Sequence, residues 1–303
     1  EVIIWRLYGI DNWEKLSQKI PDLHSTYFHN KSRQNWPDKC KEVKNLLSNK
    51  GDFYKICSSK ENIPKYQVFN EDCHEISHWL MNSLFAEGIV LKPINGHRMN
   101  NIFKYFVEDN ALYFEFLRNK KKGKVNNGLI NIPLIIRHWR KITNSKDQVL
   151  LMPFFKNLKG LPDSPGTLTI RVITSKDMKS ELIKVKHAWF EVPIFDNHFL
   201  FFDTNGKVLN FLKGFSNIKV RRQIEVWSNE IKNNYFLKKN LIGSFKSSVS
   251  LHKQISNIDT VAWDWISSNE NPILLEGNSN YGLFIPQLLE QIGGYTYSND
   301  NDS

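Results

Sequence analysis

Val261-Ala262-Trp263-Asp264-Trp265-Ile266 and Pro272-Ile273-Leu274-Leu275-Glu276-Gly277-Asn278 are two short apolar runs rich in β-branched and aromatic residues. The polar stretch Ser267-Ser268-Asn269-Glu270-Asn271 separates them, which predicts a β-hairpin with a slightly long loop. Each run carries one carboxylate, Asp264 in the first and Glu276 near the end of the second. Asn278 lies two residues beyond Glu276, so strand alternation sends both side chains to one face. Two carboxylates and an amide oxygen are hard ligands that suit Mg²⁺, above all Mg²⁺ shared with phosphates. Taken alone, the triplet reads better as a turn with Asp264 as a solvated group between two tryptophans. Its weight depends on the rest of the chain.

Before the hairpin, residues 237–255 predict a helix, and residues 220–232 a helix or a strand. Residues 167–174, 184–192 and 199–203 predict strands of a large sheet, with a turn at Thr204-Asn205-Gly206-Lys207. Arg171 stands among β-branched neighbours in the first of these strands. A charge there is costly to bury unless paired, so it faces either solvent or an anionic site. Residues 147–155 form an apolar strand that runs into a Pro-containing hinge, preceded by a helix over 129–141. Further upstream, residues 111–117, 102–107 and 89–93 read as strands. The last ends on Lys92 and leads into the polar loop 94–101, an arrangement that can cover phosphates, although a strand-end lysine is commonly just solvated. Residues 74–85 form an amphipathic helix stopped by Gly88. Residues 66–69 predict a strand, and 38–48 and 50–57 two helices. Of the histidines, His187, His198 and His252 read first as structural; His252, close to the hairpin in sequence, is a candidate contact to an acceptor substrate. Trp189 and Trp263 read as core.

Composition narrows the classes. The chain has 303 residues, 41% of them hydrophobic, enough for a sizeable core and one to three domains. No run of about 18 apolar residues occurs, so no membrane span is expected. The N-terminus lacks the build of a signal peptide and an initiator Met, as expected of a segment of a longer protein. Cys40, Cys57 and Cys73 are odd in number and lack metal spacing, which suits a reducing cytoplasm. The net charge of +10 favours polyanionic partners without choosing among nucleic acid, anionic lipid, nucleotide phosphates and acidic saccharides. No nucleic-acid-binding motif accompanies it, and none of these partners is expected to be a nucleic acid. The basic run 118–124 reads as an exposed loop or hairpin tip.

The order of these pieces resembles the ATP-grasp enzymes, and within them the sugar-transfer-associated branch that accompanies cell-surface polysaccharide biosynthesis. The resemblance covers roughly residues 45–290. It rests on Asn49-Lys50 before a Phe-containing helix, Val90-Leu91-Lys92-Pro93, Met152-Pro153-Phe154-Phe155-Lys156-Asn157, Thr169-Ile170-Arg171-Val172-Ile173-Thr174, Asp196-Asn197 with the later Asp203-Thr204-Asn205-Gly206, Trp263-Asp264, and Leu274-Leu275-Glu276-Gly277-Asn278. It implies an α+β fold in which two α+β subdomains clasp a nucleotide: residues 50–150 with the phosphate-covering loop, and 151–297 with the metal and substrate side. A partly helical region, 1–49, precedes them and a frayed tail, 298–303, follows. By the same resemblance, Lys50 and Lys92 contact the α- and β-phosphates of ATP, and backbone groups of Leu151, Met152 and Pro153 meet the adenine edge. Arg171 faces the γ-phosphate or an acyl-phosphate, and Asp264, Glu276 and Asn278 hold one or two Mg²⁺. Asp196 and Asn197 are candidates on the substrate side.

The chemistry so implied is ATP-dependent ligation of a carboxylate to an amine, attaching an amino acid or similar group to a sugar or surface glycan precursor. The implied setting is cytoplasmic, with peripheral association to a polysaccharide assembly complex. The chain departs from the family where a glycine-rich loop is usual: only Gly96 remains, with His97, Arg98 and Met99 beside it. Arg98 there replaces amide donors with charge. Met152 stands where Gln or Glu is common, and Leu158 where a histidine is expected. Two alternatives follow from these departures: a kinase on the same fold, and a non-catalytic, basic polyanion-binding protein.

Overall fold

The computed structural model describes residues 38–57, 62–69, 76–95, 101–117, 121–125, 129–177, 179–194, 199–209, 218–255 and 257–290. Candidate residues Arg98, Asp196 and Asn197, together with the expected tail and most of the N-terminal region, lie outside them. The chain is α+β, with two antiparallel sheets and helices packed against them.

In chain order the elements are α1 (Asp38–Ser48), α2 (Lys50–Cys57), β1 (Gln67–Phe69), α3 (His78–Ala86), β2 (Ile89–Pro93), β3 (Phe103–Glu108), β4 (Ala111–Phe116), β5 (Lys121–Lys124), α4 (Ile132–Thr143), β6 (Val149–Pro153), β7 (Thr169–Lys176), β8 (Ile183–Pro193), β9 (Phe199–Phe202), α5 (Ile218–Asn233), α6 (Tyr235–Gln254), β10 (Thr260–Ile266), β11 (Ile273–Asn278) and α7 (Phe284–Glu290). The first sheet has the order β1-β6-β2-β3-β4-β5 and the second β11-β10-β7-β8-β9. No described helix is long and apolar enough to cross a membrane.

Period-two alternation decides which side of each sheet is packed. In the first sheet Ile89, Leu91, Val149 and Leu151 join Leu80, Ile135 and Trp139 of α3 and α4 in one core, so Val90, Lys92, Leu150 and Met152 point the other way. In the second sheet Ile170, Val172, Trp263 and Trp265 pack against Trp227, Leu237 and Leu241 of α5 and α6. Their neighbours Arg171 and Asp264 are left on the opposite face, where α7 covers only the far end, at Ile173, Trp189 and Ala262.

Side chains cap several helix starts. Asn131 Oδ1 accepts from the Leu134 amide at 2.8 Å, and Asn234 Oδ1 accepts from Phe236 and Leu237. Asn49 Oδ1 takes the amides of Gly51 and Asp52, which fixes the start of α2 and so the place of Lys50. Gly88 ends α3 with φ +98°, and its N–H donates to the Ser83 carbonyl at 2.8 Å.

Two expectations change. The basic run at 118–124 is not simply a loop, because Lys121–Lys124 pairs with β4 as the edge strand β5. Gly123 permits this, since a Cβ there would lie 2.7 Å from the Phe114 ring, and the lysines on this edge discourage further strand addition. Residues 220–232, open between helix and strand, are the helix α5.

Helix α6 carries a buried polar stripe at four-residue spacing: Asn240, Ser244, Ser248 and His252 are all fully buried. Asn240 clamps the turn after β10, donating to the Ser268 carbonyl and accepting from the Ser268 amide. Ser248 accepts from Trp265 Nε1 at 2.9 Å. His252 Nε2 donates to the Ile258 carbonyl and its Nδ1 meets Thr174 Oγ1, which also accepts from Trp263 Nε1. A buried indole N–H costs stability unless paired; the stripe supplies the partner of Trp265 directly and, through His252, orders Thr174, the partner of Trp263.

Glycine at position 88 is required twice over, by its positive φ and because a Cβ would lie 2.6 Å from the Tyr105 carbonyl oxygen. Gly160 has a similar φ of +92° but nothing within 4 Å. Gly160→Ala is expected to cost about 1 kcal/mol of backbone strain and Gly88→Ala clearly more. Urea midpoints check this, with unchanged m-values showing that folding stays two-state. Equal losses would mean the contact at position 88 relaxes freely.

Candidate functional site

The two sheets face each other across a cleft of about 790 Å³. On one side it is lined by Val90 and Lys92 of β2 and by Met152 and Pro153 at the end of β6, continuing into Phe154 and Phe155. On the other side Glu276 (β11), Asp264 and Ile266 (β10), Thr169 and Arg171 (β7), Glu191 and Pro193 (β8) and Phe199 (β9) form a floor that crosses the whole second sheet.

Register explains why the charged side chains meet. Asp264 pairs with Glu276 on one side and with Arg171 on the other, so three consecutive strands present their charges in one lateral row. A bulge after Asp264 shifts the remainder of β10 against β11 and leaves that pairing at the rim. Arg171 Nε and Nη2 donate to the two oxygens of Asp264 at 2.5 and 2.8 Å, a bidentate geometry. Asn278 Nδ2 donates to Asp264 Oδ2 at 3.3 Å and to Glu276 Oε1 at 3.0 Å.

From the facing sheet, Lys92 is 6% exposed and sits with its ammonium 5.6 Å from the Tyr54 ring centre. Lys50, at the start of α2, is 5% exposed. Helices α1 and α2 pack on the hairpin to bring it there: Leu47 lies over Gly277, Phe53 stacks on Trp263, and the Tyr54 hydroxyl donates to the Leu275 carbonyl. The Lys50 amide also donates to the Ile94 carbonyl at 3.1 Å, tying α2 to the end of β2.

These charges oppose the cost of burial to different extents, and at Asp264 burial wins, pushing it up to about 7 against the pull of Arg171. Burial holds Lys92 down to about 8, with Glu276 opposing the shift and Lys50 adding to it. Burial lowers Lys50 as well, again against the pull of Glu276. Burial alone would raise Glu276, but Lys92, Lys50 and the Asn278 hydrogen bond keep it below its ordinary value. Burial would lower Arg171, yet Asp264 and Glu191 outweigh it, so the guanidinium stays charged.

The structure thus brings Lys50, Lys92, Arg171, Asp264, Glu276 and Asn278 together. Met152 and Pro153 line the cleft, whereas the Leu151 side chain points into the core on the other face of the first sheet. His252 is not brought to the cleft: it is fully buried on the far face of the second sheet, with both ring nitrogens engaged. Glu191 belongs to the site as well, although the sequence reading did not single it out. Its carboxylate meets Arg171 Nη1 at 3.3 Å and accepts from Trp189 Nε1 at 2.9 Å. The missed signal was alternation: Trp189 and Glu191 share the face of Arg171 on the neighbouring strand.

The donor set fits a hard divalent cation. Asp264 and Glu276 are close enough to share one amide, and both are shielded from water. The described residues contain no group of three His, Cys, Asp or Glu around one point, so two carboxylates and the Asn278 carboxamide would need oxygens from a phosphate-bearing ligand to complete a shell.

No family model matches the chain, and no curated protein does. Among solved structures, the D-alanine–D-alanine ligase of Bacillus anthracis complexed with ATP is similar, with a TM-score of 0.43 at 10% identity over 82% of this chain and 65% of that one. The D-alanyl-alanine synthetase A of Vibrio cholerae gives a TM-score of 0.45 at 10% identity, over 83% and 61%. An N5-carboxyaminoimidazole ribonucleotide synthetase in its ADP complex gives 0.41 at 10% identity, over 78% and 46%. This chain spans less than two thirds of each of these structures. At these scores the likeness carries no conclusion about the chemistry of this chain.

Because Glu276 is the strongest influence keeping the proton on Lys92, Glu276→Gln is expected to move the Lys92 titration below about 8. The ¹³Cε shift of Lys92, followed between pH 6 and 11 in both proteins, reads this directly. A midpoint that stays put or rises would show that Glu276 and Lys92 are not facing each other.

Proposed function

We propose that this chain is an ATP-dependent carboxylate–amine ligase of the ATP-grasp class, acting through an acyl-phosphate. Its acceptor, on this reading, is a sugar or cell-surface polysaccharide precursor that receives an amino acid or similar group. The observation that carries the reading is the opposition of Lys92 to Asp264 and Glu276 across one cleft, with Arg171 in the same row, Asn278 bonded to both carboxylates and Lys50 close enough to Glu276 to perturb it. The sugar acceptor rests on the resemblance of the ordered motifs to the sugar-transfer-associated branch.

A cleft of about 790 Å³ accommodates a nucleotide with part of a second substrate. Backbone groups at Met152 and Pro153 meet the adenine edge, and Val90, Met152 and Phe154 give its ring apolar walls. Lys92 and Lys50 neutralise the α- and β-phosphates, and Arg171 faces the terminal one. Magnesium held by Asp264, Glu276 and Asn278 would supply charge neutralisation and polarise the terminal phosphoryl group. The substrate carboxylate attacks the γ-phosphorus and the bond to the bridging oxygen of ADP breaks. The amine nitrogen then attacks the acyl carbon, phosphate leaves, and a proton is released to solvent. The protein's part is positioning and charge compensation, which is most of what phosphoryl transfer requires. Arg98, Asp196 and Asn197 are assigned to the phosphate cover and the substrate side. Residues 50–150 and 151–297 are assigned as the two subdomains, in a cytoplasmic protein that associates peripherally with a polysaccharide assembly complex.

Calorimetric titration with ADP and Mg²⁺ tests the nucleotide site. Below about 8 Lys92 is protonated and attracts phosphate; above it the free protein must first recover a proton. Affinity is therefore expected to fall as pH rises through about 8, and to lose that dependence in Lys92→Met. At pH 7 the substitution is expected to weaken binding about 10- to 100-fold, the size of a charge-assisted hydrogen bond. ATP-dependent hydroxamate formation from hydroxylamine and a panel of carboxylates then tests the acyl-phosphate. A phosphorylated product without hydroxamate supports the kinase instead. If wild type, Asp264→Ala and Glu276→Ala are equally silent and none binds nucleotide, the enzyme reading is lost.

A further inference from the structure

Arg171 is gripped from two sides. Its Nε and Nη2 occupy both oxygens of Asp264, while Nη1 lies 3.3 Å from Glu191 Oε1. Both oxygens of Asp264 are engaged, and its Oδ2 also accepts from Asn278. Glu191 is engaged through one: Arg171 and the Trp189 indole both address Oε1, and no described residue engages Oε2. Both carboxylates have little contact with bulk water, with side chains only 6% and 14% exposed.

A divalent cation approaching Asp264 would meet the guanidinium already on both oxygens. Even at an effective dielectric of 20, two unit charges of like sign 4 Å apart repel by about 4 kcal/mol. Releasing one Asp264 oxygen from Arg171 relieves that repulsion and gives the cation a ligand. The neighbouring strand offers the guanidinium one place to go, since Arg171 pairs with Trp189 and Thr169 with Glu191, which sets that carboxylate diagonally across from Arg171 on the same face.

We propose that Glu191 is a positioning residue that takes over Arg171 when Asp264 turns an oxygen to a divalent cation. The guanidinium rotates toward Glu191 Oε2, and the buried positive charge keeps a partner throughout. This rests on the reading of Asp264, Glu276 and Asn278 as the ligands of that cation.

Mn²⁺ binding in the presence of ADP, followed by the loss of the free-ion electron paramagnetic resonance signal, separates this from a simple field effect. Glu191→Gln is expected to weaken Mn²⁺ binding about tenfold, and Glu191→Asp to restore most of it. In an Arg171→Met background, Asp264 is already released, so adding Glu191→Gln is expected to change affinity less than about twofold. Arg171→Lys, which cannot make the bidentate pair, serves as the second background should Arg171→Met not fold. Equal losses in wild-type and Arg171-substituted backgrounds would show only the field of a missing charge and overturn the proposal, as would no loss at all. If wild type with ADP takes up no Mn²⁺, the ligand reading of Asp264, Glu276 and Asn278 falls and this proposal with it. Uptake without coupling removes this proposal alone.

Discussion

The structure depends on opposite charges held out of water on two facing sheets. Lys92 stands on one sheet and Glu276, Asp264 and Arg171 on the other, with Lys50 brought in by helix α2; burial works against the charged form of each. Taking an ion from water costs several kcal/mol even after the protein relaxes, and nearby opposite charges return only part of that. An apolar core would be more stable at these positions. A cluster of this kind is usual where a chain holds phosphate or a cation, because a ligand can then supply the compensation the protein leaves incomplete.

Much of the remaining architecture serves to hold that cluster still. Strand register puts Glu276, Asp264 and Arg171 in one row, and register is hard to slip because the reverse face carries Trp263 and Trp265. Those indoles are fixed in turn by Thr174 and Ser248, and the polar stripe of α6 seats both. Asn240 closes the chain just beyond β10. The polar face of α6 therefore acts through packing, as the sheet's anchor on the side away from the cleft.

Most elements were legible in the sequence because their signals are local. Alternation in 167–174, the short apolar runs at 89–93 and 261–266, and the helix stop at Gly88 need only nearby residues to be read. Residues 220–232 resisted because their apolar spacing, at Val220, Ile224, Trp227 and Ile231, gains its meaning only from the sheet it covers. The edge strand β5 resisted for the opposite reason: it is held by backbone pairing to β4, while its lysines look like those of a solvated loop.

The sequence by itself determined the hairpin, the shared face of Glu276 and Asn278, and the need of Arg171 for a partner, since alternation and the cost of a buried charge are properties of a single strand. Only the tertiary structure decided which partner that was, placed Lys50 and Lys92 near Glu276, set Glu191 diagonally beside Arg171, and took His252 away to the core. Those outcomes hang on register between strands distant in the chain and on which face of a helix meets which sheet. Neither is encoded within any one segment; both follow from how the segments exclude water together.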